Sequence, residues 1–347
     1  MRYRRNMSSL SFTSKPDRGV SGWLLATLIA VMAMIVLGGA TRLTNSGLSI
    51  TEWKPISGAL PPLSHEAWLS EFEKYKQIPE FEAEHPDMTL RGFEFIYFME
   101  WSHRQLGRFI GLLYTLPFFY FLLRGRLKGR ALRYFSVVLL IGVQGVIGWW
   151  MVYSGLSDDR VDVSQYRLAT HLGVAFIILG LLFWFWRDSQ DARRGVARNH
   201  FTRRTGLLAG LIYLQIIAGA FVAGTHSGKT YNSWPLMDGG LVPSGYFVQN
   251  PAWRNLFENA AAIQFNHRIL AYIIAVLGVW IWITSRTRHE LKRPATVLLA
   301  LIGWQVVLGI WTLLAVVPLQ LALLHQFSSI LVFIAALYLW RSAVRSS

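Results

Sequence analysis

The chain has 347 residues, of which 53% are hydrophobic and 15 are Trp. One soluble domain of this length does not carry so much clustered apolar surface. A net charge of +15 would suit a nucleic-acid partner, but the cations are dispersed in separate segments rather than gathered in one patch. There is no cysteine, which excludes a disulfide framework and a thiolate metal site.

A helix that crosses the bilayer core takes about 20 mostly apolar residues. The chain opens on a basic stretch with Arg2, Arg4 and Arg5 that runs into the first such segment, at 22 to 40. This stretch reads as a cytoplasmic flank rather than a cleaved signal. The end of the first span reads Gly38-Gly39-Ala40-Thr41 and continues through Thr44-Asn45-Ser46-Gly47 to Trp53, Pro55, Gly58 and Pro61. Residues 51 to 100 then hold ten of the 19 acidic side chains, Glu80, Glu82 and Glu84 among them. They are read as a solvated outer loop, with a docking surface for a basic partner as the alternative. Further spans are expected at 105 to 123, 134 to 153, 168 to 186, 206 to 224, 267 to 284, 295 to 316 and 320 to 340. Twenty-two of the 34 Lys and Arg lie in alternate connections, at 124 to 133, 187 to 204 and 286 to 293 and at the two ends. By the positive-inside rule these segments and both termini face the cytoplasm. The expected molecule is an all-α polytopic protein of a bacterial inner membrane, with eight transmembrane helices in the lipid bilayer and no nucleic-acid partner.

An internal repeat divides the chain. The end of the fifth span answers the first with Ala218-Gly219-Ala220, Thr225-His226-Ser227-Gly228, Trp234, Pro235, Gly239 and Pro243. The third and seventh spans share Leu140-Ile141-Gly142-Val143-Gln144 with Gly148, and Leu301-Ile302-Gly303-Trp304-Gln305 with Gly309. Four spans separate the copies, so the expectation is two parallel-repeat four-helix bundles, residues 1 to 195 and 196 to 347.

Of nine histidines, His65, His85, His200 and His289 fall in polar loops and read as solvated imidazoles, while His226, matched to Asn45, reads as a turn residue. The remaining four, His103, His171, His267 and His325, recur in pairs at the outer ends of the even-numbered spans. Two imidazoles facing each other inside a four-helix bundle suit one haem iron. Zinc or copper would want further ligands, and no Cys or carboxylate is repeated beside either pair. Arg104 and Arg268, each following a candidate ligand, are read either as partners of haem propionates or as interfacial snorkelling side chains. Gln144 and Gln305 are read as packing residues that hydrogen-bond within the bundle, with a place near a porphyrin edge as the alternative. The halves keep the ligand but differ in the one group beside it that can exchange a proton. Glu100 lies three residues before His103, while Gln264 stands at the same place before His267.

With these motifs the chain resembles the haem A synthase family. The resemblance rests on Gly38 to Thr44, Ser46-Gly47-Leu48-Ser49, Glu52-Trp53-Lys54-Pro55 with Gly58, Pro61 and Pro62, Glu100-Trp101-Ser102-His103-Arg104, and the four histidines. It implies a membrane oxidoreductase that oxidises the C8 methyl of haem O to a formyl group, usually described as successive hydroxylations followed by dehydration, giving haem A for terminal oxidases. It further implies substrate haem at His103 and His171, a haem b cofactor ligated through its iron by His267 and His325, and a haem O synthase and a redox partner nearby. Some members carry a cysteine pair in the first outer loop. This chain resembles the cysteine-free class of proteobacteria and mitochondria, where no thiol-linked step operates. Glu100 is the expected catalytic acid or base, with a carboxylate that pairs with Arg104 or meets interfacial water as the alternative. The competing readings are a di-haem electron-transfer protein, which needs no acid at only one site, and a parallel-repeat transporter, which would want polar groups at mid-membrane. Whether the chain forms a homo-oligomer is open at this level.

Overall fold

The computed structural model describes residues 17 to 54, 57 to 127, 129 to 156, 160 to 190 and 200 to 345. Arg2, Arg4, Arg5, Pro55 and the expected boundary between residues 195 and 196 lie outside them. In chain order the helices are α1 (Arg18–Leu43), α2 (His65–Tyr75), α3 (Pro79–Glu84), α4 (Leu90–Leu123), α5 (Ala131–Leu156), α6 (Gln165–Gln190), α7 (His200–Gly224), α8 (Asn255–Glu258), α9 (Ala260–Ser285), α10 (His289–Leu314) and α11 (Leu319–Arg345). Among the described residues eight of these are long and apolar enough to cross a membrane, namely α1, α4, α5, α6, α7, α9, α10 and α11. Large apolar side chains such as Leu116, Leu123, Leu132 and Val276 stand exposed along them. Such surface is stable only where the solvent is itself apolar.

Each expected span is present, and α4 departs most from its expected length. It begins at Leu90 rather than near 105 and runs for 34 residues, about 51 Å at 1.5 Å per residue against a bilayer core of about 30 Å. Arg91, Glu94, Glu100 and Arg104 interrupt the apolar run that marks a span. Between them Phe93, Ile96 and Tyr97 keep helical spacing and bury against Phe72 and Tyr75 of α2 and Ile50 of the preceding loop. Thr89 caps the start by accepting from the Gly92 N–H. The extra turns form the wall of a small outer cap.

The cap corrects two expectations. Glu80 is not a solvated acid: it is 3% exposed, and its carboxylate accepts from the Tyr75 hydroxyl at 3.1 Å. Burial pushes its carboxyl up to about 8. His85 is not a free loop imidazole either, since its Nδ1 lies 2.8 Å from the same hydroxyl and burial lowers its pKa. At the exposed rim of the cap the opposite holds. Lys54 and Lys74 beside Glu52 hold its carboxyl down at about 2.

Helices α1, α4, α5 and α6 neighbour one another in a closed ring, as do α7, α9, α10 and α11. The rings meet where α6 packs on α7 and α1 on α11. Polar joints cross this seam, among them Arg341 of α11 with Asp188 of α6. Gln326 of α11 donates to the Ile35 carbonyl of α1 at 2.7 Å. At the outer end Arg42 pairs with Asp162 at 3.2 Å, and Asp162 in turn lies 2.7 Å from His226. Asn45 and His226, the matched pair, both take left-handed backbone, with φ of 47° and 51°. The turn role expected for His226 is therefore present, with an added contact to the other ring.

Candidate paired-histidine sites

The four repeated histidines come together as two pairs. His103 on α4 and His171 on α6 face each other with ring centroids 6.5 Å apart and planes at 76°. Two nitrogens each about 2 Å from one metal put their ring centroids roughly 6 Å apart, so this spacing leaves room for one iron between them. His267 on α9 and His325 on α11 occupy the corresponding places in the second ring. Burial in apolar surroundings suits the neutral imidazole that a metal ligand must be.

Glycine prepares the space at every one of the four rings. A Cβ added at Gly38 would lie 3.2 Å from His103 Nε2, and one at Gly219 would lie 3.3 Å from His267 Cε1. A Cβ at Gly148 would fall 3.0 Å from His171 Cε1, and one at Gly309 3.0 Å from His325 Cε1. The glycines of the sequence repeat are thus places where a neighbouring helix backbone approaches an imidazole directly.

Glutamines hold the helices beside these rings. Gln144 donates to the His171 carbonyl at 2.8 Å, Gln215 to that of His267 at 3.0 Å, and Gln305 to that of His325 at 3.1 Å. The packing role expected of Gln144 and Gln305 is present. Gln215 went unsingled at the sequence level, although its position four residues before Gly219 was the available signal.

The two arginines are treated differently. Arg104 Nη2 lies 2.5 Å from Glu100 Oε1 and donates to the Ile50 carbonyl at 3.0 Å. Its Nε donates to Glu100 at 3.0 Å and its Nη1 to the Glu52 carbonyl at 3.3 Å. Each of its nitrogens is thereby engaged within the chain, so Arg104 positions Glu100 and the 50 to 52 backbone. Arg268 donates through Nη2 to Tyr231 O at 3.1 Å and Gln264 Oε1 at 2.8 Å. Its Nε and Nη1 are buried with no partner among the described residues. Two orphaned guanidinium donors beside a histidine pair are what a carboxylate-bearing ligand would satisfy.

Glu100 is 2% exposed. Its second oxygen accepts from Ser49 Oγ at 2.8 Å and the Ile50 N–H at 2.7 Å. Gln264 does the matched structural work without charge, donating to the Ser227 carbonyl at 2.7 Å while accepting from Arg268. Ser49, now seen as a partner of Glu100, sits in a motif noted only for its sequence.

Among the described residues no group of three or more His, Cys, Asp or Glu is placed to hold a lone metal ion. Two opposed imidazoles, glycine-lined space and unpartnered arginine donors fit a haem, which asks the protein only for axial nitrogens, an apolar slot and charge partners for its propionates. Two helix rings in a bilayer, each with such a pair, define a polytopic membrane protein of haem-binding type. The chain belongs to the cytochrome oxidase assembly protein family, whose model matches residues 21 to 337. A heme A synthase of Maricaulis maris is 52% identical over 327 residues, covering 93% of this chain and 95% of its own length. Heme A synthases of Brucella anthropi and Azorhizobium caulinodans are 46% and 49% identical, over 96% and 93% of this chain and 95% and 94% of their own lengths.

Proposed function

We propose that this chain is a haem A synthase, an oxidoreductase that converts haem O to haem A by oxidising the C8 methyl group to a formyl group. The observation that carries the reading is the pair of matched two-histidine sites within a chain that aligns almost end to end with heme A synthases. The two rings act as parallel-repeat halves, residues 1 to 195 and 196 to 347. In the first, His103 and His171 hold the substrate haem. In the second, His267 and His325 would hold a haem b, and the unpartnered donors of Arg268 would be available to a propionate. Bound haem supplies the one-electron redox chemistry that no side chain here provides. On this reading the protein belongs to a bacterial inner membrane with both termini cytoplasmic, which the basic segments between alternate spans support. A haem O synthase would deliver substrate and a redox partner would take up electrons.

The chain's own residues orient the substrate, exclude water and handle protons. Helical rings and glycine contacts fix where each imidazole stands. Glu100 is proposed as the acid–base group of the first half. Support comes from its counterpart: Gln264 ties its arginine and its loop just as Glu100 does, so an amide suffices for architecture. The carboxylate adds only the capacity to exchange a proton, held in place by Arg104, Ser49 and Ile50. Glu100→Gln tests this directly. The variant is expected to fold and retain haem b while membranes accumulate haem O, or a hydroxylated intermediate, in place of haem A. Normal haem A yield at matched protein level would remove the proton-transfer role, and absence of haem A dependence on the wild-type chain would remove the proposed activity.

A further inference from the structure

The clamps on the four histidines are unequal. In the second ring Gln215 and Gln305 do more than bond the histidine carbonyls: their amide nitrogens also lie 3.2 Å from both ring nitrogens of His267 and 3.3 Å from both of His325. In the first ring Gln144 reaches only the carbonyl of His171. The fourth clamp is missing. The residue on α1 that corresponds to Gln215 is Met34, which stands four residues before Gly38 as Gln215 stands four before Gly219. Those two glycines face the His103 and His267 rings. The Met34 methyl carbon lies 3.3 Å from where a Cβ at Gly107 would be, one turn beyond His103 and beside the backbone an amide would have bonded. A thioether has no hydrogen to donate.

We propose that His103 is the ligand that detaches first when haem is exchanged, that the bond to His171 breaks after it, and that Met34 sets this order. The proposal rests on the assignment of substrate haem to the first ring. A resident cofactor is best held by two imidazoles whose helices cannot shift, and both second-ring ligands have their backbone carbonyl bonded by a glutamine. A substrate that becomes a product has to leave at every turnover, which requires both axial bonds to break, beginning at the ligand held less firmly. Among the described residues only His103, of the four ligands, has no glutamine on its carbonyl. The asymmetry lies in a single side chain of similar length and volume, so it can be moved between the halves without emptying the core.

The test uses the full-length protein purified with its bound haem and mixed with excess apomyoglobin. Released haem is followed by absorption and identified by chromatography. Wild type is expected to lose haem O or haem A ahead of haem B. Met34→Gln is expected to slow the first phase about fivefold, the scale of one net hydrogen bond, and to leave the haem B phase alone. Gln215→Met is expected to speed haem B loss by a similar factor, and Met34→Leu to release like wild type. The proposal is overturned if Met34→Gln, fully loaded, releases at the wild-type rate, or if Met34→Leu slows release as much. Should Met34→Gln fail to assemble, unchanged haem B loss from Gln215→Met overturns it alone. Recovery of haem B from both rings would instead sink the substrate assignment, while the difference in release rate between rings would still be read.

Discussion

Gly39→Ala probes the seam between the rings. A Cβ at this position would lie 1.7 Å from Gln326 Oε1, 2.4 Å from its Cδ and 2.6 Å from its Nε2. No adjustment of a few tenths of an ångström relieves such overlap. Gln326, whose clashing amide is the far end of a flexible side chain, must swing off the Ile35 carbonyl, which relieves the overlap and leaves the lost buried hydrogen bond as the main cost, about 1–3 kcal/mol. The matched position in the second half is already alanine, Ala220, in an apolar cluster with Leu172 against it. The penalty at Gly39 therefore belongs to the glutamine and not to the helix crossing. Unfolding of the purified protein in detergent, followed by far-ultraviolet circular dichroism, gives the assay. Gly39→Ala should be strongly destabilised, and Gly39→Ala combined with Gln326→Ala should be more stable than Gly39→Ala alone. The coupling would be roughly 1–3 kcal/mol. Strictly additive effects would refute the reasoning, because the two side chains would then not share the space.

Three further outcomes are expected. Glu80 holds its proton up to about pH 8 in the folded cap, whereas an unfolded carboxylate releases it near pH 4 to 5, roughly. The folded state thus binds more protons in that window, so stability should fall as pH rises from about 5 to 8. Glu80→Gln should flatten this slope in melting curves, and parallel curves would show that the acid is not buried as described. The purified protein should show the absorption of low-spin haem with two imidazole ligands, and His267→Ala or His325→Ala should remove the haem b contribution; an unchanged spectrum in both would displace the cofactor assignment. For topology, the chain has no native thiol. Leu63→Cys, on an exposed part of the cap, should react with an impermeant maleimide from outside, and Arg203→Cys only after the membrane is opened. The reverse pattern would invert the molecule.

The spans were legible because continuous apolar runs of this length have few other uses, and the histidine pairs because each recurs with its neighbours. What stayed hidden depended on contacts between distant segments. Glu80 reads as one acid among several, and only the fold shows that Tyr75 and the aromatic residues around Phe93 close over it. The outer turns of α4 were masked by Arg91, Glu94, Glu100 and Arg104, whose charge is accommodated outside the bilayer or paired beside the cap. Glu100 was visible as an acid beside one ligand where the other half has an amide, yet its bonds to Ser49 and Ile50 join segments some fifty residues apart. The Gln326–Ile35 joint links opposite ends of the chain, and no local pattern announces it.

The glycines beside the four imidazoles carry a consequence for how this molecule tolerates change. A wall made of side chains can be trimmed, swapped or refilled, and its shape drifts by small steps. A wall made of main chain has nothing to trim, and every substitution at Gly38, Gly148, Gly219 or Gly309 adds atoms toward a ring. Saturation mutagenesis should accordingly find the sharpest intolerance at four residues that contribute no chemistry of their own, while many of the bulkier aromatic neighbours accept replacement. In this molecule the reaction chamber is specified by atoms the sequence leaves out.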